Sequence, residues 1–165
     1  MLINNASFDL NKDYGTKYRS KLPLYRAARI GFVEIMKLLL SSGRVDINKG
    51  DLSGRRAIHH ACEQGYGSVV ELLLPVIDDH NARDDSGATP FQYTAKKGDV
   101  AVVKLLPKSG KADADSIRTL LLRVTEKGHA KVAMLLLENS ANLNSRDNYA
   151  GHTFFGRLRK GMRRW

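Results

Sequence analysis

A phrase that returns at a fixed interval constrains this chain more than anything else in it. Asp51-Leu52-Ser53-Gly54-Arg55-Arg56-Ala57-Ile58-His59-His60-Ala61-Cys62 is answered by Asp84-Asp85-Ser86-Gly87-Ala88-Thr89-Pro90-Phe91-Gln92-Tyr93-Thr94-Ala95. Gly54 to Gly87 is 33 residues, and Gly65 to Gly98 is 33 again. A period of that length marks one supersecondary unit stacked on its neighbours, which builds an extended surface rather than a catalytic pocket.

Each recurring position has a physical reason. Thr89-Pro90 supplies an N-cap followed by a ring whose fixed backbone angle suits the first helical position. The small pairs Ala27-Ala28, Ala61-Cys62 and Thr94-Ala95 let successive first helices approach closely. Gly31, Gly65, Gly98 and Gly128 end each first helix, because glycine turns left-handed without steric cost. Val69-Val70 with Leu72-Leu73-Leu74 places branched side chains on one buried face of a second helix. Asp-x-x-Gly is a turn projecting from the stack. The period extends upstream through Leu22 to Gly43 and downstream through Thr119 to Leu137. The pattern predicts helix, turn, helix and projecting loop, four times over.

At these residues the chain resembles the ankyrin repeat, whose phrase runs D-x-x-G-x-T-P-L-H-x-A-A-x-x-G-H and then V-V-x-x-L-L-x-x-G-A-D-V-N; about ten positions recur in order. The resemblance covers residues 13–147. It implies an all-α ankyrin-repeat solenoid of about four helix-turn-helix units, with projecting β-turn loops and partial repeats at both ends. The units are expected at about 13–50, 51–83, 84–115 and 116–147. Residues 1–12 read as the back half of an earlier repeat. Residues 148–165 read as a degenerate fifth one running into a basic tail. Pro75 and Pro107 should end their second helices early. His80 sits in the half-buried apolar slot that Ile47 and Leu143 fill elsewhere. Phe154, Phe155 and Leu158 are apolar where a terminal repeat needs a polar face, so a fragment of a longer array is expected.

Composition narrows the function classes. The 165 residues carry a formal charge of +10 and a pI of about 9.9, which favours anionic partners. Half of that excess lies in the tail, where Arg157, Arg159, Lys160, Arg163 and Arg164 follow the last acid, Asp147. The lone Cys62 cannot form an internal disulfide, which points to an intracellular and mainly cytoplasmic setting, with the nucleus as the alternative. The longest apolar stretch, Leu72 to Ile77 around Pro75, is far too short to cross a bilayer.

His59-His60-x-Cys62 is the one cluster of metal-ligand types, and structural zinc needs four ligands, so no metal and no cofactor are expected. His152, His129 and Asp79-His80 lack a nucleophile elbow or a phosphate loop beside them, so no catalytic residues and no small-molecule substrate are assigned. Asn48, Asn81 and Asn144 should brace the loops through side-chain hydrogen bonds.

The family resemblance implies a non-catalytic protein–protein interaction module, a scaffold or adaptor that binds through its concave loop-and-first-helix surface. Mapped position by position, that surface comprises Arg29 and Ile30, then Leu52, Ser53, Arg55, His60, Glu63 and Gln64. Arg83, Asp85, Ser86, Tyr93, Lys96, Lys97 and Lys127 complete it. Ile30, Leu52 and Tyr93 are apolar on a face that solubility alone would keep polar. The expected partner is therefore a protein segment of acidic or mixed acidic and apolar character. The less favoured reading is a nuclear or nucleic-acid-associated adaptor working through Arg157 to Arg164, and a membrane is not expected to be a partner.

Overall fold

The computed structural model describes residues 9–12, 22–105 and 114–143, and among these every regular element is helical. The first unit is α1 (Pro23–Ile30) and α2 (Val33–Ser41), and the second is α3 (Ala57–Gln64) and α4 (Gly67–Leu73). The third holds a short α5 (Pro90–Tyr93), a 3-10 turn at Thr94–Lys96, and α6 (Val100–Val103). The fourth is α7 (Ala114–Glu126) and α8 (Ala130–Leu143), with α7 starting two residues before the expected boundary at 116.

First helices stack in one row, α1 on α3, α3 on α5 and α5 on α7. Second helices stack in another, α2 on α4, α4 on α6 and α6 on α8. The first row packs closely because Ala27, Ala28, Ala61, Cys62 and Ala95 are buried where it touches. Met36, Val69, Val70, Val102, Val103, Val132 and Ala133 fill the second row. One continuous core runs through all four units.

Local chemistry sets the ends of the helices. Gln92 Oε1 accepts the Thr89 N–H at 3.2 Å, and His59 Nδ1 accepts the Arg56 N–H at 3.0 Å. The same position, third in the helix, thus caps both first helices. His59 Nε2 donates to the Ala82 carbonyl at 3.0 Å, so the motif histidine braces the following loop. Burial holds its pKa down to about 4. Gly65 turns left-handed at φ 78°, and a Cβ there would stand 2.5 Å from the Asp99 carboxylate. Alanine at that position would face both strain and a clash. Helix α4 stops at Leu73, ahead of Pro75 as expected. His80 is buried, more deeply than expected of its half-buried slot. Pro107, Leu143 side-chain packing, Asn144, His152 and the basic tail lie outside the described residues.

Three Asx turns repeat down one side. Asp9, Asp46 and Asp79 accept the backbone N–H groups of Asn11, Asn48 and Asn81 at 2.8, 3.1 and 2.8 Å. Asn11 reaches across to donate to the Arg44 carbonyl at 2.9 Å and accept the Asp46 N–H at 2.6 Å. Asn48 likewise accepts the Asp78 N–H at 3.2 Å. Asn11 and Asn48 therefore each tie their loop to the next, and Asp9-Leu10-Asn11 takes the place of the preceding unit's loop.

One face breaks the pattern. Ile35 on α2 is 45% exposed, whereas its equivalents Val69, Val102 and Val132 are exposed by 0%, 0% and 1%. Leu38 beside it is 70% exposed. In the later units a preceding second helix covers this face, and no described residue covers it on α2.

Candidate functional site

The two projecting turns are built by their aspartates. The Asp51 carbonyl accepts the Gly54 N–H at 2.9 Å, and its Oδ1 accepts the Ser53 and Arg55 N–H groups at 2.9 and 3.0 Å. Asp84 repeats the arrangement, with its Oδ1 taking the Ser86 N–H at 2.9 Å and the Ala88 N–H at 3.0 Å. Successive turns are joined directly where the Asp85 N–H donates to the Ser53 carbonyl at 3.1 Å.

Each turn is also latched to the helix behind it. Nine residues past Asp51 stands His60, whose Nε2 donates to Asp51 Oδ2 at 3.0 Å. Nine residues past Asp84 stands Tyr93, whose hydroxyl donates to Asp84 Oδ2. Arg55 fills the space between these latches. Its guanidinium gives Nη1 to Glu63 Oε2 at 3.1 Å and Nη2 to His60 Nδ1 at 2.9 Å, and lies 5.4 Å from the Tyr93 ring centroid. An arginine can only donate, so His60 Nδ1 must accept and Nε2 carries the ring proton. Lys96 Nζ closes the network on Glu63 Oε1 at 2.6 Å.

These bonds set the charges. Burial pushes the Asp51 carboxyl up, but the bonds from His60 and from the Ser53 and Arg55 amides outweigh it and leave it below its ordinary value. Burial likewise raises Asp84, and the bonds from Ser86, Tyr93 and the Ala88 amide bring it lower. For Glu63 burial is overcome by Lys96 and Arg55. All three acids are thus ionised and internally compensated near neutrality.

Between the turns and the first helices lies a cleft of about 440 Å³. Tyr25, Arg26 and Arg29 line it from α1, and Asp51, Ser53, Arg55 and His60 from the second unit. Asp84, Asp85, Ser86 and Tyr93 line it from the third. Seven residues of the expected surface therefore meet here: Arg29, Ser53, Arg55, His60, Asp85, Ser86 and Tyr93.

Others serve different ends. Glu63, expected on the partner-binding surface, is only 8% exposed because it is spent inside the Arg55 network, and His60, though it lines the cleft, is held there too and is 4% exposed. Lys96 and Lys97 reach back to Glu63 and Gln64, the latter at 3.1 Å, and so tie the third unit to the second. Arg83 donates to the Gly87 carbonyl at 2.8 Å and clamps its own turn. Ile30, Leu52 and Lys127 are exposed outside the cleft.

Sequence reasoning missed Arg26, although a signal was present. Arg26 stands five residues before Gly31, as His60 stands before Gly65 and Tyr93 before Gly98. It is the first unit's member of that row.

Metal ligation has little to work with at the His59-His60-x-Cys62 cluster. Both rings are engaged as described, and Cys62 is fully buried among apolar neighbours, which pushes its thiol pKa up. Among the described residues no group of three His, Cys, Asp or Glu side chains could hold a metal ion. No helix there is long and apolar enough to cross a membrane.

A family model for ankyrin repeats in three copies matches residues 1–84 and again 67–147. The chain belongs to the ankyrin-repeat family. Rabankyrin-5 of Homo sapiens is 33% identical over 129 residues, which cover 75% of this chain and 11% of that protein. A probable E3 ubiquitin-protein ligase, XBOS33 of Oryza sativa subsp. japonica, is 38% identical over 86 residues, or 51% of this chain and 16% of the relative. Putative ankyrin repeat protein FPV014 of Fowlpox virus (strain NVSL) is 27% identical over 163 residues, covering 94% of this chain and 35% of that one. The chain spans 11% to 35% of the length of these curated relatives. Ankyrin repeats generally mediate protein–protein interaction and are typically non-catalytic.

Proposed function

We propose that this ankyrin array is a non-catalytic adaptor that holds a partner polypeptide across the cleft between its turns and first helices. The cleft itself carries the reading. Its walls are fixed before any partner arrives, since Arg55, His60 and Tyr93 are each held by at least one internal bond. A pre-ordered surface loses little side-chain entropy on binding. Arginine and tyrosine are also the side chains on which binding energy concentrates. Leu52, 56% exposed near the rim, offers apolar area to a segment of mixed acidic and apolar character. The lone buried Cys62 supports an intracellular setting.

Capture from cell extract by the intact chain, by Ser53→Trp, and by a variant lacking residues 152–165 tests the reading. Tryptophan at 53 fills the cleft without touching the core. Partners should be lost on Ser53→Trp and retained without the tail. Partners that survive Ser53→Trp, vanish with residues 152–165 and weaken steeply with salt would instead make the tail a nucleic-acid-type contact.

A further inference from the structure

The charges around the cleft are not evenly compensated. Asp51 and Asp84 are consumed by their turns and latches, and Arg55 by Glu63 and His60. The side chains of Arg26 and Arg29 have no hydrogen-bond or ion-pair partner among the described residues, yet both residues line the cleft. The repeat explains why. His60 and Tyr93, in Arg26's row, find an aspartate nine residues upstream, but nine residues before Arg26 stands Lys17. Glu63, the acid one unit on from Arg29 in its own row, already has Oε1 on Lys96 and Oε2 on Arg55.

Two guanidiniums three residues apart share one face of α1. They repel each other, and a carboxylate between them could take a forked pair of charge-assisted bonds. Two units along the stack, Asp85 lines the same cleft and is exposed; its backbone N–H is engaged by the Ser53 carbonyl, and its carboxylate lies beside Gly54 with no cationic partner among the described residues.

We propose that the cleft takes an acidic peptide segment in one orientation, with a partner carboxylate seated between Arg26 and Arg29 and a cationic or hydrogen-bond-donating residue facing Asp85. This rests on the adaptor reading above and assigns its anchor. The free arginines make α1, rather than the already neutralised Arg55, the charged end of the site. Arg26 is thus the member of its row without a latch among the described residues, while His60 and Tyr93 are latched.

The test is selection of a displayed library of random 12-residue peptides against the full chain, followed by affinity measurement of the enriched peptides. Enriched sequences should share an Asp or Glu, and Arg26→Ala/Arg29→Ala should weaken them about tenfold, the loss of one charge-assisted pair. Arg26→Glu/Arg29→Glu should abolish binding and recover it for the peptide whose acid is replaced by Lys. Lys131→Glu, a charge change at an exposed position outside the cleft, should leave affinity unchanged, and circular dichroism of each variant should match the parent. Peptides that fail on Ser53→Trp but bind Arg26→Ala/Arg29→Ala at full strength would overturn the anchor while keeping the cleft. Peptides indifferent to Ser53→Trp, or no enrichment at all, would overturn the cleft and the anchor together.

Discussion

At the scale of single residues, one position does two jobs in successive units. His59 and Gln92 occupy the same place in their helices, and each accepts the N–H of its N-cap residue. Histidine adds a reach to the Ala82 carbonyl that only its Nε2–H tautomer can make. Burial lowers the His59 pKa to about 4, below its unfolded value of about 6.5. The unfolded chain therefore binds a proton that the folded chain refuses, and stability falls as pH drops from 6.5 towards 4. Glu63, Asp51 and Asp84, all lowered, lose their contributions further into acid. His59 alone should make the fold about 2 kcal/mol less stable at pH 5 than at pH 7. His59→Gln keeps the cap, as Gln92 shows, and removes the titration. Urea unfolding at both pH values should show the difference shrinking by about that amount; an undiminished difference would mean that His59 does not control it.

At the scale of elements, helices of the same design meet different surroundings. Leu73 on α4 is fully buried in the core, while Leu38 on α2, the counterpart of the half-buried Leu72, stands mostly in solvent. Leu73→Ala should cost about 2–5 kcal/mol through lost burial and a cavity. Leu38→Gln should change stability by no more than about 0.5 kcal/mol, since the face it leaves has nothing packed on it among the described residues. Chemical denaturation of both variants checks the contrast, and equal costs would show that the α2 face is covered. The third unit has the shortest helices among the described residues. Its α5 passes into a 3-10 turn and α6 ends after one turn, and Lys96 and Lys97 tie it back to the second unit beside the buried Phe91, Ala95, Val102 and Val103.

At the scale of the whole molecule, the main helix contacts among the described residues run within a unit or between adjacent units. Stability in such a stack is close to a sum of unit and interface terms, so damage should remain local. Leu136→Ala in the fourth unit should raise amide exchange across α7 and α8 well before α3 and α4 respond. Hydrogen exchange followed by mass spectrometry reads this directly. Uniform acceleration over all units would mean that the array unfolds as a single block.

The period alone determined the architecture. Glycines at fixed spacing, small residues in the first helices and branched residues in the second act through local backbone and packing preferences, which a one-dimensional pattern records. It also placed the turns, the early stop before Pro75 and the bracing by Asn48, because those depend on partners close in the repeat. The site was legible only in part. Position within the repeat assigned Arg29, Ser53, Asp85, Ser86 and Tyr93 to the concave side, but it could not say which charges were already spent. Glu63 and His60 look exposed on a helical wheel and are buried by Arg55 from the preceding turn and Lys96 from the next unit. Arg26 looks ordinary and has no counter-charge among the described residues. Charge compensation depends on which side chains meet across units, and only the stacked structure decides that.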